Sequence, residues 1–517
     1  MNLTQIPLEA THQFSPLFLD YIHNEPHIKP FFHRFPSMAN FEAQIKEKQF
    51  AQNQREMLVE AIHEQYSTLT NKPNELIQSL LEPNTFTVTT GHQLNIFTGS
   101  LFFIYKIITT IKLAKELSQH YPQYRFVPVY WMASEDHDFA EINHFYLFNK
   151  KFTWYLPEAK GAVGKLNPST IVSICDEIKE IPAFFRDAYQ NSSNLAEATR
   201  KIVHHLFGKE GLLVVDGDNN LLKKSIIPII KDDLLNHSAK QLVEKSDAIL
   251  SSSGYDTQIY VRDINFFYLD SFVRERIEKE GNEYQVLNTS LRFSKEDIMD
   301  LIEVKPEKFS PNVALRPIYQ EMILPNLAYI GGPAEVTYWL QLKSVFDHYK
   351  VLFPMVVPRN FAMILSQANV NKLAKLNVQA RDLFLPEKAL KEIFLEKNSQ
   401  KAVSLDSAYQ KLEELTLYIA LIASAVDKSL DGFVKSEMKQ ATKIIETIEK
   451  RIKKAEDFRH EVAFKQLFAL KDKLFPNGIP QERHDNYLQF ALNDEQFIEK
   501  LMNNFSPLVF QYNILEY

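Results

Sequence analysis

Four segments of the chain share one order of hydrophobic and polar positions. Each starts with a short apolar run rich in β-branched residues, passes through glycine or polar residues, and ends in a longer run with helical periodicity. Repeated units of this kind are typical of a parallel sheet that is buried on both faces. They predict a doubly wound α/β core, with a fifth strand in VLFPMVVPRN. The four units begin TFTVTTGHQ, RFVPVYWMASEDHD, GLLVVDGDN and NLAYIGGPAE.

Two stretches between these units have a different pattern. Residues 151–204 and 241–305 contain alternating runs, such as TQIYVRDINFFYLD and EYQVLN, and we predict that both are small antiparallel insertions. The second stretch ends in a helical pattern, KEDIMDLI, for which Ser294 is a candidate N-cap. The remaining pieces are assigned to the core, namely residues 1–150, 205–240, 306–370 and 473–517.

Residues 371–472 have the pattern of a coiled coil. Apolar residues step by three and four from Leu412 to Val426, and the spacing resumes from Ala441 to Ala455 with charged residues between. Two long antiparallel helices are therefore expected. Formation of a homodimer through this domain is one use of such a seam, and an intramolecular hairpin without a partner is the alternative.

Length, charge and cysteine content narrow the class of protein. The 517 residues are too many for one hydrophobic core, so about three domains are expected. The net charge is −7 without a basic tract, which argues against nucleic acid as a partner. The N-terminus lacks a secretory signal pattern, and no uncharged stretch reaches the roughly 18 residues of a membrane span. The single cysteine, Cys175, lies in a buried-strand pattern and is expected to be structural, which favours a reducing cytoplasm.

The first strand-turn-helix unit carries several candidate binding residues. After the strand come His92 and Gln93, and the helix is predicted to start at Thr98 and Gly99. Free N–H groups at such a helix start form a site for a carboxylate or phosphate. Lys106 lies among aromatic residues on this helix, where it either extends to solvent or faces an anionic ligand. His92 is either a base or a hydrogen-bonding residue of the turn.

The second unit ends in a cluster of titratable residues. Glu135, Asp136, His137 and Asp138 follow a strand that is predicted to be buried. Burying four such side chains without a role is costly, so they are solvated, cap the next helix or act in chemistry. Acid/base work or binding of an amine fits better than a metal site, because no metal-ligand spacing such as HExxH is present. Asp216, at the end of the GLLVVD strand, could join them.

The fourth unit has a second candidate anion site. Gly331 and Gly332 allow close approach of the backbone to a ligand, and Glu335 lies in the first turn of the following helix, where it suits the helix dipole. Two nearby arginines suit bidentate recognition of carboxylates, although surface roles are the alternative. The further candidates near this unit are Arg316, Gln320 and Arg359.

Common nucleotide and hydrolase motifs are missing from the sequence. GxxxxGKS, GxxxxGKT, GxGxxG and GxSxG do not occur. The residues therefore indicate an α/β enzyme whose site accepts anions and amines, and they do not identify a reaction.

Four longer motifs in this order resemble one known family. TGHQLNIFTGSLFFIYK, VPVYWMASEDHDFAEINH, YIGGPAEVTYW and LFPNGIPQER are similar to the bacillithiol biosynthesis cysteine-adding enzymes, over about residue 80 to the end. The resemblance implies a cysteine ligase that joins the carboxyl of L-cysteine to the amine of glucosaminyl-malate and so completes bacillithiol. It also implies a Rossmann-like core with two connecting insertions and a homodimer formed through a coiled-coil domain.

The resemblance implies roles for the candidate residues. Lys106, Arg316 and Arg359, with the helix starts at Gly99 and Gly332, would bind the carboxylates of malate. The cluster from Glu135 to Asp138 would hold or deprotonate the attacking amine, which must be neutral to act as a nucleophile. Several members of the family carry Gln at the position of His92, which argues against an obligatory base there.

Amide formation from a free carboxylate in water is uphill, so the cysteine must be activated. ATP with Mg²⁺ would do this most simply, and no tightly bound metal is expected. One alternative is another nucleotide-dependent acyl or nucleotidyl transferase on the same core. Another is a non-catalytic ligand-binding protein that assembles through its coiled coil.

Overall fold

The computed structural model describes residues 1–398 and 405–517. The chain forms two compact units, one of residues 1–363 and 479–515, and the other of residues 364–478 and 516–517. The predicted coiled-coil segment includes residues 399–404, which lie outside the described residues. Among the described residues, no helix combines the length and apolar character needed to span a bilayer.

Fifteen strands occur in the described residues. They are β1 (Asn2–Pro7), β2 (Thr85–His92), β3 (Arg125–Met132), β4 (His144–Leu147), β5 (Lys150–Thr153), β6 (Leu213–Asp216), β7 (Phe266–Asp270), β8 (Val273–Glu280), β9 (Glu283–Val286), β10 (Arg292–Phe293), β11 (Phe309–Pro311), β12 (Asn326–Gly331), β13 (Met355–Pro358), β14 (Phe361–Leu365) and β15 (Gln511–Glu516).

Helices of the first unit up to residue 348 are α1 (Pro16–Ile22), α2 (Met38–Glu47), α3 (Gln52–Gln65), α4 (Asn74–Ser79), α5 (Leu101–His120), α6 (Phe139–Ile142), α7 (Val172–Glu177), α8 (Ala183–Gln190), α9 (Leu195–Phe207), α10 (Asn220–Lys223), α11 (Ile227–Asn236), α12 (Ser238–Ser252), α13 (Lys295–Val304), α14 (Arg316–Ile323), α15 (Pro333–Gln341) and α16 (Lys343–His348). The second unit contains α17 (Gln367–Lys375), α18 (Glu387–Asn398), α19 (Asp406–Val426), α20 (Leu430–Arg459) and α21 (Glu461–Leu474). The first unit resumes with α22 (Gln481–His484), α23 (Leu488–Ala491) and α24 (Phe497–Asn504).

The central sheet of the first unit has five parallel strands in the order β13-β12-β2-β3-β6. Counted along the chain, this order is 3-2-1-4-5 when the sheet is viewed from β6, which is the arrangement of a doubly wound Rossmann-like core. The prediction of such a core is confirmed. The strand order reverses between β2 and β12, and in sheets of this kind ligands bind beyond the carboxyl ends of the strands at that point.

One face of the sheet packs against α5 and α2. Phe86 and Val88 of β2 contact a cluster that includes Leu113 and Leu117 of α5 and Phe41 of α2. All of these side chains are buried, which explains why α5 is so apolar despite its solvated lysines. This packing fixes the orientation of α5 relative to β2, the strand that precedes it in the chain.

The buried polar residues of β2 are satisfied within the sheet. Thr87 and Thr89 donate hydrogen bonds to Oδ1 of Asn326 on β12, at 3.2 and 2.8 Å. Nδ2 of Asn326 donates to Oε1 of Glu321 at 2.7 Å. Because each of these polar groups has a partner, the strand tolerates threonines where its neighbours are aliphatic.

The first insertion differs from the prediction. After a short β4–β5 hairpin, residues 151–204 contain α7, α8 and α9 instead of an antiparallel sheet. The TIVSIC run that was interpreted as a strand lies largely in α7, where Cys175 is buried and burial raises the pKa of its thiol to about 11. A short apolar run such as TIVSIC does not distinguish a strand from a buried helix. Asn194 caps α9, because its side chain accepts the Glu197 N–H at 2.9 Å.

The second insertion begins with part of α12, which ends at Ser252, and then contains antiparallel strands of the predicted kind. Strands β7 to β10 and β11 form an antiparallel sheet in the order β10-β9-β8-β7-β11. In the TQIYVRDINFFYLD run only Phe266–Asp270 is a strand. Ser294 caps α13, since its Oγ accepts the Asp297 N–H at 3.1 Å.

The second unit contains the predicted pair of long antiparallel helices. A three-residue link joins α19 to α20, and Tyr409 near the start of α19 donates to Oε2 of Glu449 near the end of α20 at 3.0 Å. Ala420 and Val434 are buried between the helices, at 9% and 8% exposed. In contrast, Val426 of the predicted seam is 80% exposed, so the seam is only partly covered within one chain.

Candidate functional site

The carboxyl ends of the central strands are aligned by their register. Gly331 of β12 pairs with Pro358 of β13, and Met132 of β3 pairs with His92 of β2 and with Asp216 of β6. The residues that follow these strands therefore lie along one edge of the sheet. Most of the side chains predicted to form the site belong to this edge.

A buried ion pair lies at the reversal point of the strand order. Nζ of Lys106 on α5 is 2.7 Å from Oε2 of Glu335 on α15, and it also donates to the carbonyl of Gly91. Oε1 of Glu335 accepts the hydroxyl of Tyr329 at 2.6 Å, and Oε2 accepts the Gly332 N–H at 2.8 Å. Burial raises the pKa of Glu335, but Lys106 and these hydrogen bonds outweigh it and hold the pKa below its usual value. Lys106 therefore does not extend to solvent, and its charge is already paired with that of Glu335.

Arg316 lies beside this pair at the first position of α14. Nη1 of Arg316 donates to Oε1 of Gln320 at 3.0 Å, and Nη2 donates to the hydroxyl of Tyr338 at 3.3 Å. A Cβ added to Gly91 would lie 3.1 Å from the hydroxyl of Tyr329 and 3.5 Å from Nη1, so glycine allows Tyr329 to approach the strand closely. In the described part of the chain no carboxylate forms an ion pair with Arg316, and its charge is available to an anion.

Arg359 lies beside the start of α15, but its guanidinium is already paired. Its backbone N–H donates to the carbonyl of Gly331 at 2.9 Å, and its Nη2 forms a 2.7 Å ion pair with Oε1 of Glu482. Nη1 donates to the carbonyl of Asn360 at 2.9 Å. Its Nε is buried without a hydrogen-bond partner and lies 3.8 Å from where a Cβ on Gly332 would be. An unpaired buried donor is costly, so Nε next to this helix start fits an anionic oxygen.

The start of α5 is not the open anion site that the sequence predicted at Gly99. The helix begins at Leu101, whose N–H donates to the carbonyl of Asp485 at 2.8 Å. Nδ2 of Asn486 donates to the carbonyl of Gly99 at 2.5 Å, and Ser100 donates to the carbonyl of Arg483 at 3.0 Å. A segment nearly 400 residues away along the chain therefore covers this helix start, which no local pattern could indicate.

The turn before α5 is strained. Phe97, Thr98 and Gly99 have φ values of 50°, 69° and 62° in succession. Positive φ is unfavourable for a β-branched residue, and the hydroxyl of Thr98 is buried without a partner. Thr98 also lines a cavity of about 10 Å³ together with Gln93. Asn486, which also donates to the carbonyl of Phe97 at 2.8 Å, holds this conformation.

The acidic residues after β3 divide into separate roles. Glu135 forms an ion pair with the fully buried Lys223, and burial raises the pKa of this carboxyl while Lys223 opposes the change. Burial also raises the pKa of Asp136, but hydrogen bonds from Gln93 and the backbone N–H of His137, with the charge of a neighbouring arginine, bring it below its usual value. Asp138 caps α6 by accepting the Glu141 N–H at 3.1 Å.

Gln93 connects the ends of β2 and β3. Its Nε2 donates to Oδ2 of Asp136 at 3.0 Å and to Oε2 of Glu141 at 2.6 Å. His92 precedes Gln93 and lies near the Lys106–Glu335 ion pair. Two consecutive residues at the end of β2 therefore lie between this ion pair and the acidic residues after β3.

His137 contacts a residue that the sequence did not predict. Nη1 of Arg274 on β8 is 2.6 Å from Nδ1 of His137 and 3.7 Å from Oδ1 of Asp136. Arg274 is nearly buried and lies over the ring of Phe267, with its Cζ 4.0 Å from the ring centroid. The second insertion therefore contributes a cation to the acidic cluster.

Asp216 is buried at the end of β6. Its Oδ1 accepts the hydroxyl of Ser134 and the Asp218 N–H, the latter at 3.0 Å. Arg200 is 4.0 Å from its Oδ2. Burial, followed by the charge of Asp218, raises the pKa of Asp216.

His92 is an unsuitable base. Its ring packs against Phe102 and Phe103, each with a centroid distance of 5.1 Å. Burial, followed by the cation of Lys106, lowers the pKa of His92 to about 3. The imidazole is therefore neutral near pH 7 and takes up a proton only weakly.

Two groups of predicted residues result from this geometry. Around the reversal point lie His92, Lys106, Arg316, Gln320, Gly331, Gly332, Glu335 and Arg359. After β3 and β6 lie Gln93, Glu135, Asp136, His137, Asp138 and Asp216. In the part of the chain that the structure describes, no three His, Cys, Asp or Glu side chains are grouped so as to hold a metal ion.

Two family models together match nearly the whole chain. Residues 1–360 match "Bacillithiol biosynthesis BshC, N-terminal Rossmann-like domain", and residues 362–517 match "Bacillithiol biosynthesis BshC, C-terminal coiled-coil domain". The chain belongs to the BshC family. The relatives with curated descriptions extend over the same length.

Three BshC relatives show the range of similarity, and each is described as "Putative cysteine ligase BshC". The protein of Cytophaga hutchinsonii is 41% identical and the match covers 100% of this chain and 99% of that protein. The protein of Flavobacterium psychrophilum is 42% identical with 99% of each covered, and that of Bacillus cytotoxicus is 28% identical with 93% and 94% covered. A solved structure from Campylobacter jejuni, described as a "putative arginyl t-RNA synthetase", is 10% identical over 88% of this chain and 98% of that chain, and its TM-score of 0.24 is too low to support an inference.

Four residues of this BshC site were missed by sequence reasoning. Tyr329 lies within the YIGGP motif and Glu482 within PQER, so both were inside stretches that carried the family resemblance. Arg274 lies in the polar run VRERIEKE, and Lys223 lies in α10 among exposed-looking lysines. Only the tertiary structure shows that these last two side chains turn inward.

Proposed function

We propose that this BshC protein is a cysteine ligase that forms an amide bond between the carboxyl of L-cysteine and the amine of glucosaminyl-malate. The product is bacillithiol, and the step completes its biosynthesis. The descriptions of the relatives support a cysteine ligase. The resemblance and the chemistry of the site support these two substrates.

The observation that carries the proposal is the pairing of a cationic pocket with an acidic cluster on one sheet edge. On one side, Arg316 has no carboxylate partner among the described residues, and Nε of Arg359 has no hydrogen-bond partner. Both suit the two carboxylates of a malate group, because charge-assisted hydrogen bonds to guanidinium groups are strong. On the other side, Asp136 after β3 and Asp216 at the end of β6 supply carboxylates, which suit an amine.

The amine must lose a proton to attack. Asp216 and Glu135 both have raised pKa values because they are buried, which makes them better proton acceptors than ordinary carboxylates. Glu135 is already paired with Lys223, whereas Asp216 is 4.0 Å from its nearest cation, Arg200. We assign Asp216 as the stronger candidate for the base.

ATP with Mg²⁺ is the proposed source of activation. Transfer of a phosphate or adenylate group from ATP to the carboxylate of cysteine provides a leaving group, which a free carboxylate lacks. Nε of Arg359, next to Gly332 and the first turn of α15, would suit a phosphate, but it is assigned above to malate, so no residues are assigned to the ATP phosphates. A magnesium ion carried by phosphates requires only one or two carboxylates from the protein.

A homodimer through the coiled coil is also proposed. The α19–α20 pair has large apolar side chains that are at least two-fifths exposed, as an uncovered seam would. A second copy of the same helices would bury them symmetrically. These residues are Leu415, Leu417, Tyr418, Leu421, Ile422, Val426, Phe433, Ile444, Ile448 and Ile452. The reaction is placed in the cytoplasm, where the single cysteine stays reduced.

Mass spectrometry of the full chain incubated with glucosaminyl-malate and L-cysteine, with and without Mg-ATP, tests the proposal. Product that forms only with ATP supports it, provided that at low glucosaminyl-malate concentration Arg316→Gln slows formation at least about 10-fold and Arg276→Gln, at an exposed ion pair, does not. ATP–pyrophosphate exchange that depends on another acid would instead identify a different acyl or nucleotidyl transferase. Tight ligand binding without product in any combination would identify a non-catalytic binding protein.

A further inference from the structure

Arg274 is held rigidly beside the acidic cluster. Its Nε donates to Oγ of Ser310 at 3.3 Å and its Nη2 donates to the carbonyl of Pro311 at 3.5 Å, both on β11. Its guanidinium lies over the ring of Phe267 on β7. These contacts leave Nη1 aimed at Nδ1 of His137, 2.6 Å away.

The identity of the donor in this contact is fixed by chemistry. An arginine side chain only donates hydrogen bonds, so Nδ1 of His137 must accept and carries no proton. A competing arrangement has Nδ1 donating to Oδ1 of Asp136, at 3.5 Å. The shorter contact with Arg274 is favoured, because hydrogen bonds weaken with distance and Oδ1 of Asp136 already accepts the backbone N–H of His137 at 2.7 Å.

This arrangement sets the state of the imidazole. With Nδ1 accepting, the proton of a neutral ring is on Nε2, and full protonation would place an N–H against the guanidinium. The charged groups around the ring are Arg274, Asp136 and, further away, Glu135, which itself is paired with Lys223. Half of the His137 side chain is exposed, and Nε2 has no recorded partner within the described residues.

We propose that Arg274 is a positioning residue that keeps His137 as the neutral Nε2–H tautomer, so that His137 donates a hydrogen bond to the reacting carboxyl oxygen and does not act as the base. The catalytic part of this assignment rests on the proposed ligase function. As the amine attacks the activated carboxyl of cysteine, negative charge grows on its oxygen, and a fixed neutral donor stabilises that charge. The C–N bond forms as the bond between the carbonyl carbon and the phosphate or adenylate oxygen of the activated carboxyl breaks, and that group leaves. The proton of the amine passes to a carboxylate and not to His137.

The tautomer can be measured without any assay of activity. In full-length protein labelled with ¹⁵N-histidine, the ring nitrogens of His137 are identified by the signals that vanish in His137→Gln. At pH 7 we expect an unprotonated Nδ1 and a protonated Nε2. In Arg274→Gln the donor to Nδ1 is lost and the tautomer should change, whereas Arg274→Lys retains a cationic donor and should keep the wild-type state. Arg276→Gln, two residues along the same strand, is the matched control and should leave His137 unchanged.

An imidazolium or an Nδ1–H tautomer at pH 7 in the wild-type protein would overturn the proposal, as would an unchanged His137 in Arg274→Gln. The activity arm compares kcat and KM. Arg274→Gln should lower kcat at least about 10-fold with little change in KM, and Arg274→Lys should restore part of it. The expected tautomer in a protein without ligase activity would refute the proposed function alone. Ligase activity with the wrong tautomer would refute the role of Arg274 alone.

Discussion

Lys106 and Glu335 form an ion pair at the point where the strand order of the central sheet reverses. Their side chains are 2% and 25% exposed, and Nζ is 2.7 Å from Oε2. The pair joins α5, which follows the first strand of the sheet, to α15, which follows the fourth. Glu335 in turn fixes Tyr329 and the Gly332 N–H, so one carboxylate organises three elements around the candidate anion site.

Removing one member of this pair should destabilise the protein because it leaves a buried charge without compensation. We expect Lys106→Met or Glu335→Gln to lower the free energy of unfolding by about 3 kcal/mol, and the double variant to lose less than the sum of the two. Urea denaturation of the four proteins measures this coupling. The exposed pair Lys46–Glu42, at 67% and 57% exposed, is the control and should contribute little to stability, because water and salt screen it. Additive effects of the two buried substitutions would show that the pair is not coupled.

Lys106 also contributes to the reaction under the proposed function. Lys106→Ala should reduce turnover at least about 10²-fold, since Glu335 and the start of α15 would lose their position next to Arg359. Mass-spectrometric rates of product formation give the comparison. Lys112→Ala on the solvated side of the same helix should retain wild-type turnover, and equal rates in the two variants would remove Lys106 from the site.

Arg316 should act on substrate binding more than on stability. Arg316→Gln removes a cation that has hydrogen bonds but no ion pair among the described residues, so the folded state loses little. We expect the affinity for glucosaminyl-malate to fall at least about 10-fold, as is typical for a charge-assisted hydrogen bond. Isothermal titration calorimetry measures the affinity, with Arg276→Gln as the control. Wild-type affinity in Arg316→Gln would place the carboxylates elsewhere.

The sequence was sufficient to predict the fold of the core, but not to predict which partners its charged residues contact. Continuous apolar runs followed by helices predicted the parallel sheet, because a strand buried on both faces does not alternate between apolar and polar residues. The same reasoning failed at residues 151–204, where runs such as TIVSIC fit a strand and a helix equally well.

Long-range contacts explain what remained unpredicted in the site. Arg359 pairs with Glu482 across 123 positions, and Asn486 covers Gly99 across 387. Neither contact has a local signature, since each depends on how the last part of the chain packs on α5. Sequence reasoning therefore identified the strand ends and their charges but not which charges were already neutralised.

The low pKa of His92 gives a pH-dependent contribution to stability. An unfolded histidine takes up a proton near pH 6.5, whereas burial and Lys106 lower the pKa of His92 to about 3 in the folded protein. Between these values the unfolded state binds more protons, so stability falls as the pH falls from about 6.5 towards 3.

The change in stability tests this account of His92. His92→Gln should reduce the loss in unfolding free energy between pH 7 and pH 5 by about 1–2 kcal/mol. Urea midpoints at the two pH values provide the measurement, and His63→Gln, at an exposed histidine, is the control. His92→Gln should also keep most of its ligase activity because a neutral imidazole of low pKa is not the base. A loss of 10²-fold or more in kcat would restore His92 as a catalytic residue.

The uncovered seam of the second unit predicts the oligomeric state. Leu421 and Ile422 are 73% and 50% exposed on α19, and a second copy would bury them. We expect the wild-type chain to sediment as a dimer, and Leu421→Glu with Ile422→Lys to shift it to a monomer with unchanged helical content by circular dichroism. Lys454→Glu, an exposed position without an apolar side chain, should leave the dimer intact. A wild-type monomer would mean that the helices form a hairpin without a partner. A dimer that survives both substitutions would place the interface on another surface, because two opposite charges introduced into an apolar seam cost several kcal/mol when buried without partners.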